Sequence, residues 1–107
     1  MKKEIKIRVW NKIEKVMFFI GSNPNLTNYQ TTIYELMQFT GLKDKNDKEI
    51  YEGDIINTNT IIKFNEKTGN FSCWSEREKD WVSRDYINLS YNREVIGNIY
   101  ENKELLK

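Results

Sequence analysis

The sequence predicts a mainly β protein: a compact, barrel-like or rolled antiparallel sheet with at most a short helical segment. Strand-like runs recur at intervals of roughly ten residues with turn-forming residues between them, which is typical of small barrels and rolled sheets. The 107 residues are 38% hydrophobic and 13% aromatic, enough for one core although 31% are charged. We therefore expect residues 1–107 to form a single domain.

The first strands are predicted from alternation. In residues 4–10, isoleucine and valine alternate with lysine and arginine, as in a half-buried strand. A turn at 11–14 leads to the apolar run 16–20, which we expect to pair back as a hairpin. Residues 21–31 contain the run Gly-Ser-Asn-Pro-Asn, so they are predicted to form a loop.

The remaining elements are shorter. Residues 32–39 mix β-branched and aromatic residues with good helix formers, and we favour a strand over a short helix. The charged run 43–48 is predicted to be the exposed tip of a hairpin. Further strands are predicted on both sides of a turn within 55–64, at 71–74, at 81–87 and at 94–100, with one helical turn in 101–107. The expected core residues are Ile5, Ile7, Val9, Ile50, Ile55, Val95, Ile96 and Ile99.

Composition favours a protein without catalytic activity. The chain has no histidine, which removes the commonest general base and metal ligand, and its one cysteine, Cys73, is predicted to be a half-buried strand residue. Glu49, Glu52 and Asp54 are close in sequence but lack the spacing of a calcium loop. We predict no cofactor, no metal site and no catalytic residue. Since no apolar run approaches the length of a membrane span or a signal sequence, we expect a cytoplasmic protein.

Three stretches carry a resemblance to a known family. The run LMQFTGLKDKN at 36–46, followed by KEIYEGDI at 48–55, resembles the central motif of the YopX family of bacteriophage and prophage proteins. VIGNIYEN at 95–102 resembles the C-terminal motif of that family, and IKIRVW at 5–10 is similar to its start. The resemblance implies the fold, a phage origin and a place in the bacterial host cell, but no established reaction.

The chain departs from the family pattern at two positions and in its middle. Asp47 stands where the family commonly has glycine, and Lys103 where proline is usual. Residues 57–92 and the loop 21–31 match no family motif, and variable loops are where partner choice would lie.

The motif residues have a structural interpretation of their own. Glycines suit turns in which a side chain would clash, and acidic side chains accept hydrogen bonds from turn amides. We therefore predict that these residues nucleate the fold: Gly41, Tyr51, Glu52, Gly53, Asp54, Gly97 and Asn98.

Two binding functions remain. Aromatic residues that could stack on bases are Trp10, Trp74, Trp81, Tyr86 and Tyr91, and cations that could contact phosphates are Lys63, Lys67, Arg77, Lys79 and Arg84. Acidic residues interrupt these cations, and 17 basic against 16 acidic residues give a net charge of only +1, which weakens the attraction to nucleic acid.

We therefore favour a protein-interaction module over a single-stranded nucleic-acid-binding module. Its expected partner-binding residues are Trp74, Trp81, Tyr86 and Tyr91, with a contribution from the loop 21–31. The expected partner is a host or phage protein, or another copy of the chain, and inhibition of host defence or of nucleic-acid machinery is one form that such a role could take.

Overall fold

The computed structural model describes residues 5–22, 24–57, 60–82 and 93–106. Within them the chain forms nine strands: β1 (Lys6–Asn11), β2 (Val16–Ser22), β3 (Tyr34–Lys43), β4 (Glu49–Tyr51), β5 (Asp54–Ile56), β6 (Thr60–Asn65), β7 (Asn70–Ser75), β8 (Asp80–Trp81) and β9 (Val95–Asn98). One 3-10 helix, Lys103–Leu106, follows. The prediction of a mainly β chain with at most a short helical segment is confirmed.

The strands form two antiparallel sheets. The first has the order β2-β1-β3-β4 and the second the order β8-β7-β6-β5-β9. The sheets are not closed into a barrel, so the barrel-like arrangement is wrong. The chain leaves the first sheet after the short strand β4 and enters the second at β5, with only Glu52 and Gly53 between them. The consecutive strands β4 and β5 therefore lie in different sheets.

The predicted N-terminal hairpin is confirmed. The side-chain oxygen of Asn11 accepts hydrogen bonds from the amides of Ile13 and Glu14, both at 2.9 Å, which forms the turn between β1 and β2. Residues 32–39 are largely strand, as predicted, although β3 begins at Tyr34 and continues to Lys43. The predicted strand 81–87 is described only at its start, in β8, because residues 83–92 lie outside the described ranges.

The core differs from the predicted one at three of the eight expected residues: Ile99 is only half-buried, and two other isoleucines are exposed. Ile5 is 45% exposed and Ile96 38% exposed, so their assignment to the core is wrong. Ile5 precedes β1, and Ile96 points away from the face of β9 on which Val95 is buried, because successive strand residues face opposite sides. The cluster of buried residues consists of Ile50, Ile56, Ile62, Cys73 and Val95, with Leu42, Phe71 and Val82 packed against it.

Strand β1 is not half-buried. Arg8 and Trp10, which the alternation places on the polar face, are as buried as Ile7 and Val9. The ring of Trp10 stacks on that of Tyr100, with 5.7 Å between the centroids. Both faces of β1 are therefore covered, one of them by residues from distant parts of the chain.

The tip of the β3–β4 hairpin is anchored by one buried carboxylate. Asp44 accepts hydrogen bonds from the amides of Asn46 at 2.8 Å, Lys48 at 2.9 Å and Val95 at 2.9 Å. It therefore joins the hairpin to β9 in the other sheet. The rest of the tip is exposed as predicted, and Asp47, which replaces the usual glycine, keeps a positive φ of 66°.

Asp44 should make the stability of the fold depend on pH. Burial is the largest influence and raises its pKa, but the amides of Val95, Lys48 and Asn46, together with the Lys48 charge, outweigh it, so the pKa is lowered. A carboxyl with a lowered pKa in the folded state contributes stability above its unfolded pKa, and this contribution is lost as the pH falls through the folded pKa.

We expect Asp44→Asn to reduce the free energy of unfolding by about 1–3 kcal/mol near neutral pH, because the buried amide of Val95 loses a charged acceptor. The difference in the free energy of unfolding between the two proteins, measured by urea unfolding, should begin to narrow below about pH 4. At that pH the Asp44 carboxyl of the unfolded chain becomes protonated. A difference that stays constant as the pH falls would contradict the role given to the Asp44 charge.

Candidate interaction surface

The turn between β4 and β5 is the junction of the two sheets. The amide of Glu52 donates to the carbonyl of Gln38 in the first sheet at 2.9 Å, and the amide of Gly53 donates to that of Ile62 in the second at 2.7 Å. Gly53 has a φ of 89°, and a β-carbon there would lie 3.3 Å from the sulfur of Met37. Both the dihedral angle and the space favour glycine at this position.

A buried ion pair lies beside this junction. Arg8 Nη2 is 2.7 Å from Asp54 Oδ1, and the two side chains are 7% and 1% exposed. Arg8 also donates to the carbonyl of Glu52 at 3.2 Å, and its guanidinium carbon lies 5.0 Å from the centroid of the Tyr51 ring. Asp54 Oδ2 accepts a hydrogen bond from the amide of Tyr51 at 2.7 Å. Burial raises the pKa of the Asp54 carboxyl, while the Arg8 charge and the Tyr51 amide oppose this shift.

The C-terminal motif forms a closed turn. Asn98 Oδ1 accepts hydrogen bonds from the amides of Tyr100 at 3.0 Å and Glu101 at 2.9 Å, and the Asn98 amide donates to Asn102 Oδ1 at 3.1 Å. A β-carbon on Gly97 would lie 2.6 Å from Asn102 Oδ1, so a side chain there would displace Asn102.

The contacts of these motif residues support a structural role for them. At position 41, glycine is favoured by the φ of 90° and not by a lack of space, since a β-carbon there would meet no atom within 4 Å. Arg8 was not among the predicted site residues, because a lysine and an arginine on alternate positions of a strand indicate a solvent-exposed face.

The structure brings together two of the residues predicted to bind a partner. Trp74 and Trp81 are opposite each other on β7 and β8, with ring centroids 5.2 Å apart and planes at 80°. The side chains of both are half-buried. Lys63 Nζ lies 4.8 Å from the centroid of Trp74, whose indole nitrogen donates to Glu76 at 3.3 Å. We call Lys63, Trp74, Glu76, Lys79 and Trp81 the Trp74–Trp81 surface.

Charges of both signs lie on this surface. Lys79 forms an ion pair and a hydrogen bond with Glu76, and this hydrogen bond is the main reason why the pKa of Glu76 is lowered. Arg77, Glu78 and Asp80 beside it are exposed. The positive charges are thus partly neutralised by neighbouring carboxylates, and the surface presents indole rings within a mixed polar rim.

The other predicted binding residues are placed differently. Trp10 is buried against Tyr100 and is not available to stack on a base, so its assignment as a stacking residue is wrong. Tyr86, Tyr91 and Arg84 lie outside the described residues. In the loop 21–31, Tyr29 packs against Phe18 and Tyr34, at centroid distances of 6.3 and 5.3 Å.

The groups that could support chemistry are few in the described part of the chain. Cys73 lies on β7 and is fully buried, not half-buried as predicted, and burial raises the pKa of its thiol to about 11. In the described ranges, three or more cysteine, aspartate or glutamate side chains never come together in a way that could hold a metal ion. No helix among the described residues is long and apolar enough to cross a membrane.

Fold and sites together define a small two-sheet β protein, with a buried ion pair at the junction of its sheets and an aromatic surface on one of them. The family model described as YopX protein matches residues 11–107, and the chain therefore belongs to the YopX family. Residues 5–10 precede the matched region, so their similarity to the start of the family stays a prediction.

A solved structure is similar over nearly the whole chain. The crystal structure of protein EF1440 from Enterococcus faecalis has 26% sequence identity and a TM-score of 0.63, and the match covers 96% of this chain and 98% of that one. No protein with a curated description matches the sequence.

Proposed function

We propose that this chain is a phage- or prophage-encoded accessory protein that acts without catalysis in the cytoplasm of a bacterial host, by binding a host or phage protein. The observation that carries the proposal is the contact between Trp74 and Trp81, two half-exposed indoles beside charges of both signs. Tryptophan is among the residues most often dominant in protein interfaces, and a mixed polar rim is typical of them. Inhibition of host defence or of nucleic-acid machinery is one form that this activity could take.

The geometry favours a protein partner over nucleic acid. A base can stack only on a free ring face, and Lys63 Nζ lies 4.8 Å from the centroid of Trp74, whose ring is also in T-shaped contact with that of Trp81. Glu76 engages the indole nitrogen of Trp74 and the charge of Lys79, so it would repel a phosphate at this place. An apolar side chain of a protein partner can instead contact the exposed parts of both indoles.

The proposed binding surface can be tested with Trp81→Ala. We expect this variant to weaken partner binding at least about thirtyfold, as for a hot-spot residue. Because Trp81 is half-buried on a two-residue edge strand, the Tm should change little. Affinity capture from nuclease-treated lysate of the bacterial host would identify the partner, and titration calorimetry with the purified partner would give the change in Kd.

Phe64→Ala is the matched control. Phe64 is a partly exposed ring on the same sheet, in edge-to-face contact with Phe71. Ile61 is the register partner of Trp74 and shares its face. Because Phe64 is three residues further along β6, its side chain lies on the other face of the sheet. This variant should retain binding. Equal binding by Trp81→Ala and the natural sequence would contradict the proposed surface. If capture yields only nuclease-sensitive material and the protein binds single-stranded DNA with an affinity that falls steeply with salt, the function is nucleic-acid binding.

A further inference from the structure

Lys63 is a half-buried cation within the Trp74–Trp81 surface. It lies on β6, where its register partner is Ser72, and strand alternation places it on the same face as Ile61, the register partner of Trp74. Its side chain is half-buried, and its Nζ lies 4.8 Å from the centroid of the Trp74 ring. An ammonium in this position is attracted by the indole, while its aliphatic stem covers apolar surface.

This ammonium lacks a carboxylate. Among the lysines of the described ranges, those with half-buried side chains are Lys6, Lys12 and Lys63. Lys6 pairs with Glu49 at 2.6 Å and Lys12 pairs with Glu35 at 3.1 Å. Lys63, in contrast, pairs with no carboxylate of the described residues. Since charges that are removed from water are usually neutralised by a partner, one negative group is missing beside Lys63.

The carboxylate of Glu76 does not supply this group. One of its oxygens accepts a hydrogen bond from Lys79, and the other accepts from the indole nitrogen of Trp74 at 3.3 Å. The hydrogen bond from Lys79 is the main reason for the lowered pKa of Glu76, and the charge of Lys63 contributes least to it. The positive charge of Lys63 is therefore not neutralised at close range by Glu76.

We propose that Lys63 selects the partner of the Trp74–Trp81 surface by forming an ion pair with an aspartate or glutamate of that partner. This inference rests on the proposed function and adds the chemistry of the partner, which presents an acidic side chain to Lys63 and an apolar side chain to the indoles. The surface as defined has two lysines and one glutamate, so a single carboxylate makes it neutral. Complementary charge in an interface favours the matching partner over others.

Charge balance favours one carboxylate over a nucleic acid. A single strand carries a phosphate at every nucleotide, and it binds tightly where several cations follow its track. Lys79, the other lysine of the surface, is already paired with Glu76. The exposed rim has one arginine for two carboxylates: Arg77, Glu78 and Asp80. A row of phosphates would meet these carboxylates, whereas one acidic side chain of a protein can reach Lys63 alone.

Selection from a library of random peptides, with the full chain immobilised, tests the role of Lys63. We expect the enriched peptides to contain an aspartate or glutamate close to an aromatic or aliphatic residue. Lys63→Glu should replace this acidic preference with a preference for lysine or arginine, because the charge that the peptide meets is reversed. Lys67→Glu is the matched control, since it makes the same change at an exposed lysine in the turn between β6 and β7, and it should leave the preference as it is.

Lys63→Met measures the contribution of the charge. Methionine keeps an unbranched side chain beside the Trp74 ring and removes the ammonium. An enriched acidic peptide should bind this variant about tenfold more weakly at low salt, and the two affinities should converge at high salt, where the ion pair is screened. The Tm should change little, because no carboxylate of the described residues loses a partner.

The outcomes separate this inference from the proposed function. If Trp81→Ala loses the enriched peptides but Lys63→Glu keeps their acidic preference, or if the natural sequence shows no such preference, the role of Lys63 is wrong and the surface stands. If Trp81→Ala selects the same peptides as the natural sequence, the surface itself is wrong. Absence of enriched peptides would overturn both, and weaker binding of single-stranded DNA by Lys63→Met would then identify the anion at Lys63 as a phosphate.

Discussion

Replacing Asp54 by alanine should reduce the free energy of unfolding by about 3–5 kcal/mol, because the change leaves the buried Arg8 guanidinium without its carboxylate. The two groups are 2.7 Å apart and almost fully buried. The variant also frees the amide of Tyr51, which donates to Asp54 in the turn that joins the two sheets. The loss therefore falls where the sheets meet, and urea unfolding monitored by tryptophan fluorescence would measure it.

Two further variants test whether the loss of stability in Asp54→Ala comes from the broken ion pair or from burial in general. Lys43→Ala removes an ion pair with Asp47 that is exposed on both sides, with 3.7 Å between the charged atoms, and it should cost less than about 1 kcal/mol. The double variant Arg8→Met and Asp54→Leu removes both charges and should recover part of the stability lost in Asp54→Ala. A loss of less than about 1 kcal/mol in Asp54→Ala would show that the pair does not hold the junction.

Replacing Ile55 by alanine should reduce the free energy of unfolding by about 2–4 kcal/mol through lost burial and the cavity left behind. Ile55 is fully buried in β5, a strand in which all three residues are buried and which lies between β6 and β9. Calorimetry or urea unfolding would measure the loss. A change within experimental error would place the side chain at the surface.

The control for Ile55 is the same substitution on the neighbouring strand. Ile96 lies on β9, is 38% exposed, and should lose less than about 1 kcal/mol when replaced by alanine, because a partly exposed side chain gains less from folding. The two isoleucines have the same chemistry and similar strand settings, so the comparison isolates burial. Equal losses of stability in the two variants would contradict the difference in burial between Ile55 and Ile96.

The scaffold and the proposed binding surface use different parts of the chain. The motif residues of the family lie in the junction of the sheets and in the closed turn after β9, whereas Trp74 and Trp81 lie on β7 and β8. The family model spans both parts, because it matches residues 11–107. A substitution on the proposed surface therefore leaves the contacts that join the two sheets in place.

The sequence predicted the local structure well for physical reasons that can be named. The alternation in 4–10, the turn at Asn11 and the apolar run 16–20 depend on neighbouring residues, and they appear in the structure as the β1–β2 hairpin. The same applies to the antiparallel pairing of β5 with β6, and to the exposed residues in the tip at 45–48. The conformation of a short segment is largely set by the steric and hydrogen-bonding preferences of its own residues.

The sequence did not predict which charged groups are buried. Arg8 and Asp54 are 46 residues apart, and Asp44 and Val95 are 51 residues apart, so neither partner is visible in the local pattern. A period of two shows that a strand has two faces, but it does not show whether one face or both are covered. Arg8 and Trp10 were therefore placed at the surface, although residues of the second sheet and the C-terminal turn cover them.

The sequence by itself determined that this chain is a mainly β member of its family, with its strands and turns in nearly the observed places, because strand periodicity, turn chemistry and family motifs are properties of consecutive residues. Only the tertiary structure decided that the strands form two open sheets, that Arg8 pairs with Asp54 at their junction, and that Trp74 contacts Trp81. These features depend on how distant segments pack together, and burial and pairing across such distances are decided by the whole fold.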